Sequence, residues 1–165
     1  MLEGRRERSA QDWRRFPVTG ISFDDARSYA AWLAESGRLP HARLCTDLEW
    51  ERAARGVDGR IFTTGASLLP TDANIDLTYD RTGFGPDEVG SHPESASPWG
   101  IEDMEGNALE MLVSYREGEP ATARGGSWYY ETVSARLDNR FPIELNTRSV
   151  FMGFRVCAGS REEQP

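Results

Sequence analysis

The sequence lacks lysine and long hydrophobic runs, and it has only two cysteines and two histidines. All 19 basic residues are arginine, which we attribute to GC-rich coding and not to function. A helix needs about 18 consecutive apolar residues to cross a bilayer, and no segment approaches that length. The N-terminus carries charges where a signal peptide would be apolar. We therefore expect a cytoplasmic protein without a membrane partner.

The scarcity of cysteine and histidine excludes a scaffold built on several disulfides and one built on a zinc site. Cys45 and Cys157 are too few for a disulfide framework, and no Cys-x-x-Cys or Cys/His cluster offers a zinc site. We expect both cysteines to be buried thiols that fill the core. His41 and His92 each adjoin a proline in loop-like sequence, so we expect them at the surface.

Positive charge is scarce in the middle of the chain. Residues 71–119 carry 2 arginines against 12 acidic residues, whereas the segments on either side are nearly balanced. A nucleic-acid surface requires a basic footprint, so the sequence argues against that partner. The acidic block is consistent with a cation site or with simple solvation.

Helical patterns are confined to the first third. Between Ser22 and Gly37, apolar residues fall at helical spacing after a capping serine. Between Thr46 and Gly56, a capping box opens a second helix and a glycine ends it. Residues 56–120 lack a sustained period, which predicts mostly loop organised by a bound ion or by tryptophan anchors. Two strands are predicted further on, in ATARGGSWYY and VFMGFRVCA.

Six motifs occur in a characteristic order. They read FPVTGISFDDARSYAAWL, RLCTDLEWERAARG, ANID, VGSHPESASPWGIEDMEGNALEM, ARGGSW and MGFRVCA. Over about residues 16–158 the chain resembles the formylglycine-generating enzyme (sulfatase-modifying factor) family. The resemblance implies an α+β fold, a loop-rich C-type-lectin-like arrangement with two helices and a small twisted antiparallel sheet. It predicts a polar extension at 1–15, the domain at 16–159 and a tail at 160–165. From the polar residues themselves we expect about residues 1–14 and 160–165 to be frayed.

Within the family, the motifs look most like the C-terminal domains of some bacterial serine/threonine protein kinases. The resemblance therefore suggests a protein kinase domain as a partner. Family domains usually begin with a longer segment than the one that precedes Phe16 here. Upstream sequence, a partner or adaptation of the chain itself would complete the core.

The resemblance also bears on catalysis. The family's oxidase uses copper held by two thiolates shortly after the R-G-G-S-W motif, because soft sulfur ligands suit Cu(I). The family pattern places Tyr130 and Ala135 at those two positions. A tyrosine oxygen is a hard donor and alanine offers none, so copper is not expected and the sequence disfavours an enzyme.

Structural calcium is the cofactor that the resemblance implies. In DMEGNALE, Asp103 and Glu110 would supply carboxylates and Gly106 and Ala108 backbone carbonyls, which are the hard oxygen donors that Ca²⁺ prefers. A second set comprises Asn74, the carbonyl of Ile75 and Asp80. The alternative is that Asp103 and Glu110 are solvated or cap backbone amides.

A groove beside the R-G-G-S-W strand is the expected ligand site. In the structural interpretation, the glycines allow close backbone approach and Trp128 anchors the core. In the functional interpretation, an unknown small ligand or peptide contacts Trp128, Tyr129, Tyr130, Arg136, Asn139, Arg140 and Phe141. The two arginines would recognise a carboxylate or phosphate, or would form structural ion pairs with Glu131 or Asp138.

These observations favour a non-catalytic ligand-binding or sensor domain associated with a bacterial protein kinase. A formylglycine-generating oxidase with atypical ligands is the first alternative. A structural protein-interaction module is the second.

Overall fold

The structure is a computed structural model and describes residues 11–159. Its regular elements are α1 (Phe23–Glu35), β1 (Ala42–Leu44), α2 (Asp47–Arg55), β2 (Leu109–Val113), β3 (Ala121–Arg124), β4 (Phe141–Ile143), β5 (Met152–Phe154) and β6 (Val156–Ala158). Short 3₁₀ turns lie at Trp13–Arg15, Arg81–Gly83, Pro93–Ser95 and Thr132–Ala135. The predicted α+β class with two helices is confirmed. No helix in residues 11–159 is long and apolar enough to span a membrane.

Both helices begin at capping boxes. The Ser22 hydroxyl accepts a hydrogen bond from the Asp25 N–H, and the Asp25 carboxylate accepts one from the Ser22 N–H. Thr46 and Glu49 repeat this exchange at the start of α2. Each box satisfies backbone donors that the first helical turn leaves unpaired. Gly56 ends α2 at φ 66°, a conformation that favours glycine.

The strands form two small sheets. β1 and β6 pair antiparallel, with Arg43 opposite Cys157. The other sheet has the order β4-β3-β2-β5. Its β3–β4 and β2–β3 pairs are antiparallel, but β2 and β5 run parallel, with Glu110 opposite Gly153. The expected small antiparallel sheet is therefore present as β4-β3-β2, and β5 extends it in the parallel direction.

Apolar side chains buried within residues 11–159 form three clusters. The first packs α1 against the four-stranded sheet through Phe23, Ala26, Ala30, Leu109, Met111 and neighbouring side chains. The second surrounds Trp50 of α2 with Ala54, Met104, Leu112 and Leu137. The third lies under the long loops and contains Phe62, Leu68, Ala73, Ile75 and Ala135. This third cluster gives the loop-rich middle of the chain its own buried support.

The two cysteines form a disulfide, so their assignment as separate thiols is wrong. Cys45 and Cys157 are bonded across 112 residues of sequence. The pairing of β1 with β6 brings the two positions together, since Cys157 lies in β6 and Cys45 immediately follows β1. Closing so long a loop restricts the unfolded chain and so stabilises the fold.

His92 is buried, which corrects its assignment to the surface. It is 6% exposed, and its Nε2 lies 2.9 Å from Asp87 Oδ2. Tyr79 donates its hydroxyl proton to the same Asp87 oxygen at 2.9 Å, and Asn107 Nδ2 donates to the Asp87 backbone carbonyl at 3.2 Å. Burial of His92 follows from this polar network. His41 is exposed, as predicted.

Part of the polar N-terminal extension packs on the domain. The Gln11 amide donates to Asp87, and the Val89 N–H donates to the carbonyl of Arg15 at 2.8 Å. Residues 11–15 are therefore held by residues 87–89 and are not frayed. Residues 1–10 and 160–165, for which fraying was also predicted, lie outside the described part of the chain.

Candidate ligand-binding groove

A cavity of about 450 Å³ opens beside the segment that follows β3, and we call it the aromatic groove. Its rings are those of Phe84, Tyr129, Tyr130 and Phe141. Its polar residues include Asp76, Arg81, Glu131, Ser134 and Asn139. Among the residues assigned to a groove from sequence, the structure brings together Tyr129, Tyr130, Asn139 and Phe141.

Packing holds the rings of the aromatic groove in place. Tyr129 stacks on Phe151 with centroids 4.4 Å apart and an interplanar angle of 20°. Tyr130 meets Phe151 edge-on, with centroids 5.8 Å apart, and Phe84 meets Tyr129 edge-on. Tyr129 and Tyr130 nevertheless remain 48% and 39% exposed. The groove therefore presents supported aromatic surface to solvent.

Trp128 lies behind the aromatic groove and does not line it. Its ring packs edge-on against Phe151 and Phe84, at centroid distances of 5.1 and 6.2 Å. Its buried indole nitrogen has no hydrogen-bond partner among residues 11–159. Trp128 thus serves the rings of the groove as a packing anchor.

The R-G-G-S-W glycines allow the chain to pass close under the groove. Gly126 has φ 73°, and a Cβ added there would lie 2.9 Å from the Cα of Ala135. Any other residue at this position would meet both an unfavourable conformation and a backbone clash. Glycine therefore permits the close approach of the 3₁₀ turn Thr132–Ala135, which carries Ser134 of the groove wall.

Two acidic residues and one arginine line the aromatic groove. Asp76 is partly buried, and its Oδ1 has no hydrogen-bond partner in the described part of the chain. Burial raises the pKa of Asp76, and the nearby charge of Glu131 raises it further. Arg81 is exposed and forms no ion pair with any residue in the range 11–159. The groove therefore carries more negative than positive charge.

The two predicted groove arginines contact other parts of the structure. Arg136 pairs with Asp138 at 2.8 Å, which is the structural ion pair that the sequence left open. Arg140 pairs instead with Asp47 at 2.9 Å and with Glu119 at 2.5 Å. Neither arginine lines the aromatic groove.

The positions assigned to copper thiolates lie in two different environments. Tyr130 lines the aromatic groove, whereas Ala135 is fully buried in the third core cluster. The chain's two cysteines are joined to each other and have no free thiol. Thiolate ligation of copper would therefore require reduction of the Cys45–Cys157 bond.

A second cavity of about 450 Å³ contains part of the predicted calcium set, and we call it the acidic cavity. Its charged side chains are Glu102, Asp103, Glu110 and Arg155, and Ala108 also lines it. Asp103 accepts a hydrogen bond from the Gly90 N–H at 2.7 Å. Burial raises the pKa of Asp103 despite that hydrogen bond. Three carboxylates against one guanidinium make this cavity attractive to a cation.

Glu110 has protein partners on both of its oxygens. Its carboxylate accepts from Arg155 Nη2 at 2.7 Å and from the Trp50 indole N–H at 2.8 Å. Gly106, also in the predicted set, is outside the cavity lining, and a Cβ there would lie 2.5 Å from the carbonyl oxygen of Asn74. No group of three or more His, Cys, Asp or Glu side chains in residues 11–159 is arranged to hold a metal ion. Asp103, Ala108 and Glu110 nevertheless line one cavity.

The residues of the second predicted calcium set make separate contacts within their loops. Asn74 is buried, and its Nδ2 donates to the Gly85 carbonyl at 3.0 Å. The Ile75 carbonyl accepts from the Thr78 N–H at 3.0 Å. Asp80 is exposed, and its Oδ1 caps the 3₁₀ turn Arg81–Gly83. These contacts fit loop-building roles better than ligation of one ion.

Sequence reasoning missed several residues of the aromatic groove. Asp76, Arg81 and Phe84 come from the loop-rich middle of the chain. This part of the chain has no period that would orient a side chain. One sequence signal was available for Asp76. It is the last residue of ANID, which is one of the six motifs that carry the family resemblance.

The fold is a loop-rich α+β domain with two cavities on its surface. Residues 2–159 match the family described as "Sulfatase-modifying factor enzyme 1-like domain". The chain belongs to this formylglycine-generating-enzyme-like family.

The relatives include both inactive and active proteins. The "Inactive C-alpha-formylglycine-generating enzyme 2" of Bos taurus is 30% identical, over 88% of this chain and 51% of its own length. The "Hercynine oxygenase" of Mycolicibacterium smegmatis is 38% identical, over 86% of this chain and 37% of its length. "Serine/threonine-protein kinase pkn1" of Chlamydia caviae is 26% identical, over 89% of this chain and 25% of its length. The chain spans about half or less of each of these proteins.

Solved structures support the same fold. "Treponema denticola variable protein 1" superposes with a TM-score of 0.76 at 19% identity, covering 89% of this chain and 72% of that one. At this identity the likeness concerns the fold alone.

Proposed function

We propose that this chain is a non-catalytic ligand-binding domain of the formylglycine-generating-enzyme family, with the aromatic groove as its binding site. The carrying observation is that Tyr130 and Ala135 stand where the family's copper thiolates are expected. Tyr130 contributes to the wall of the groove, and Ala135 is buried beneath it. A position used for oxidation in enzymes of the family would here serve recognition.

The composition of the aromatic groove supports recognition of a small ligand or a peptide side chain. Exposed rings at Tyr129 and Tyr130 offer stacking surface, and Asn139 and Ser134 offer hydrogen-bonding groups. Binding pockets combine apolar walls with a few placed polar groups in this way. The kinase among the relatives supports a role beside a protein kinase domain.

The competing function is oxidation of a protein cysteine. An anaerobic copper(I) titration of the full chain, followed by an oxidation assay on a cysteine-containing peptide, separates the two. We expect no stoichiometric tight copper binding and no oxidised peptide. Tight copper binding that Cys45→Ser or Cys157→Ser abolishes would establish the oxidase and overturn the proposal.

Ligand binding itself is tested by chemical-shift mapping with a peptide library. We expect perturbed amides to concentrate between Trp128 and Arg148. Perturbation confined to α1 would instead identify a structural interaction module that works through its helical face.

We also propose a structural calcium ion in the acidic cavity, held by Asp103, Glu110 and the backbone carbonyls of Gly106 and Ala108. Burial of Asp103 beside two further carboxylates supports a cation there. Binding would require Glu110 to share its oxygens between the ion and Arg155. Hard oxygen donors on one loop match the preference of Ca²⁺.

A further inference from the structure

The wall of the aromatic groove contains an unpaired acceptor. Asp76 Oδ1 is shielded from solvent and receives no hydrogen bond from any described residue. Buried polar atoms almost always have a partner, so the Asp76 carboxylate retains acceptor capacity that the described residues do not use. Asp76 lines the groove, and its backbone N–H donates to the carbonyl of Tyr130 at 3.3 Å. The Asp76 backbone is thus tied to the segment that carries the exposed rings.

We propose that the aromatic groove binds an organic cation, a primary ammonium or guanidinium group carried on a hydrocarbon chain. The cationic N–H would donate to the Asp76 carboxylate, and the hydrocarbon would lie against Tyr129 and Tyr130. This inference rests on the proposed function, since it names the ligand class for the same groove.

The electrostatics of the groove favour a cation. Glu131 also lines the aromatic groove, and its charge adds to the cost of ionising Asp76. A positive group between the two carboxylates would relieve that repulsion. The ring faces of Tyr129 and Tyr130 also attract cations through their quadrupoles. Three separate features of one cavity therefore select positive charge.

The single arginine in the groove does not reverse this preference. Arg81 is exposed, so its charge is screened by solvent. Its lowering effect on the pKa of Asp76 is smaller than the raising effect of Glu131. An anionic ligand would have to approach both carboxylates to reach the rings.

Three probes of nearly equal size test the preference. They are the phenethylammonium ion, neutral 2-phenylethanol and the 3-phenylpropanoate ion, each titrated into the full chain by NMR. We expect phenethylammonium to bind about tenfold more tightly than the alcohol, because a charged hydrogen bond is added to the same ring contacts. We expect phenylpropanoate to bind most weakly. N-acetyllysine amide serves as a fourth probe. Comparison of its affinity with that of phenethylammonium distinguishes recognition of a lysine side chain in a protein from recognition of a free amine.

Matched variants assign the effect to Asp76. Asp76→Asn keeps the shape but removes the charge, and we expect it to lower phenethylammonium affinity about tenfold with the alcohol unchanged. Asp24→Asn makes the same substitution at an exposed position of α1, outside the aromatic groove. It should leave the affinity for each probe unchanged. Thermal melts of both variants check that each is folded.

The outcomes separate this inference from the function on which it rests. Equal binding of ammonium and alcohol in the groove, or stronger binding of phenylpropanoate, would overturn the cation inference and leave a ligand-binding groove. Failure of all the probes to perturb residues 128–141 would count against both. An Asp76→Asn variant that is folded and binds phenethylammonium as tightly as the parent would also overturn the cation inference.

Discussion

Arg140 donates from its Nε to Asp47 Oδ2 at 3.0 Å, and through this contact the loop after the R-G-G-S-W motif is joined to the start of α2. Asp47 is fully buried, and its other oxygen accepts from Arg124, which is also buried. Arg124 further donates to the Leu137 carbonyl at 2.7 Å. One carboxylate therefore organises two arginines on the chain segments that build the aromatic groove.

Loss of the Asp47 carboxylate should destabilise the protein strongly. Asp47→Ala leaves Arg124 without its most buried anionic partner, and removal of one member of a buried ion pair costs about 3–5 kcal/mol. We expect the free energy of unfolding, measured by urea denaturation, to fall by that amount. Asp138→Ala is the control, because its pair with Arg136 is partly exposed and should change stability by less than about 1 kcal/mol. Similar small effects for both variants would contradict a structural role for Asp47.

The helices could be predicted from sequence because their signals are local. Ser22 with Asp25, and Thr46 with Glu49, lie within one helical turn of each other. The strands β1 and β4 contain 3 residues each, too few to establish a period of two. β2 was missed for a related reason, since most of its residues are buried on both faces and do not alternate.

Long-range pairings could not be predicted from the residues involved. Cys45 and Cys157 meet only because β1 pairs with β6, and no local feature of either segment specifies that pairing. The aromatic groove was predicted in part, since Tyr129 and Tyr130 are adjacent in sequence. Asp76 was missed because its place in the groove with Glu131 depends on how two separate loops pack.

Stability should fall as the pH rises through the neutral range, because of Glu105. This side chain is 1% exposed and accepts from the Thr63 N–H at 2.9 Å and from the Thr63 hydroxyl. Burial raises its pKa from 4.5 to about 7. The folded state therefore holds a proton that the unfolded state releases above about pH 4.5, and the associated stability is lost as the pH rises to about 7. We expect the free energy of unfolding to fall by up to about 3 kcal/mol between about pH 5 and about pH 8.

Two variants isolate the contribution of Glu105 from that of other acids. Glu105→Gln removes the titrating group and should flatten this part of the pH profile. Glu94→Gln changes an exposed acid and should leave the slope intact. Glu49 acts in the opposite direction at lower pH, because its hydrogen bond with Arg43 lowers its pKa to about 2 and its stabilisation is lost as the pH falls below about 4.5. An unchanged slope in Glu105→Gln would exclude Glu105 as its source.

Removal of calcium should lower the melting temperature if the acidic cavity binds the ion. A ligand that binds only the folded state stabilises it by about 2.7 kcal/mol at a hundredfold excess over its Kd. A chelator should therefore lower the melting temperature by roughly 5 °C or more. Asp103→Asn should abolish this calcium response, because it removes a buried carboxylate of the cavity. Asp80→Asn is the control, since Asp80 is exposed and caps a 3₁₀ turn, and its response should match that of the parent. A calcium response that is lost in Asp80→Asn but kept in Asp103→Asn would place the ion at the second predicted set, with Asn74 and Asp80. A melting temperature that does not respond to chelator would exclude calcium from the acidic cavity and from that second set.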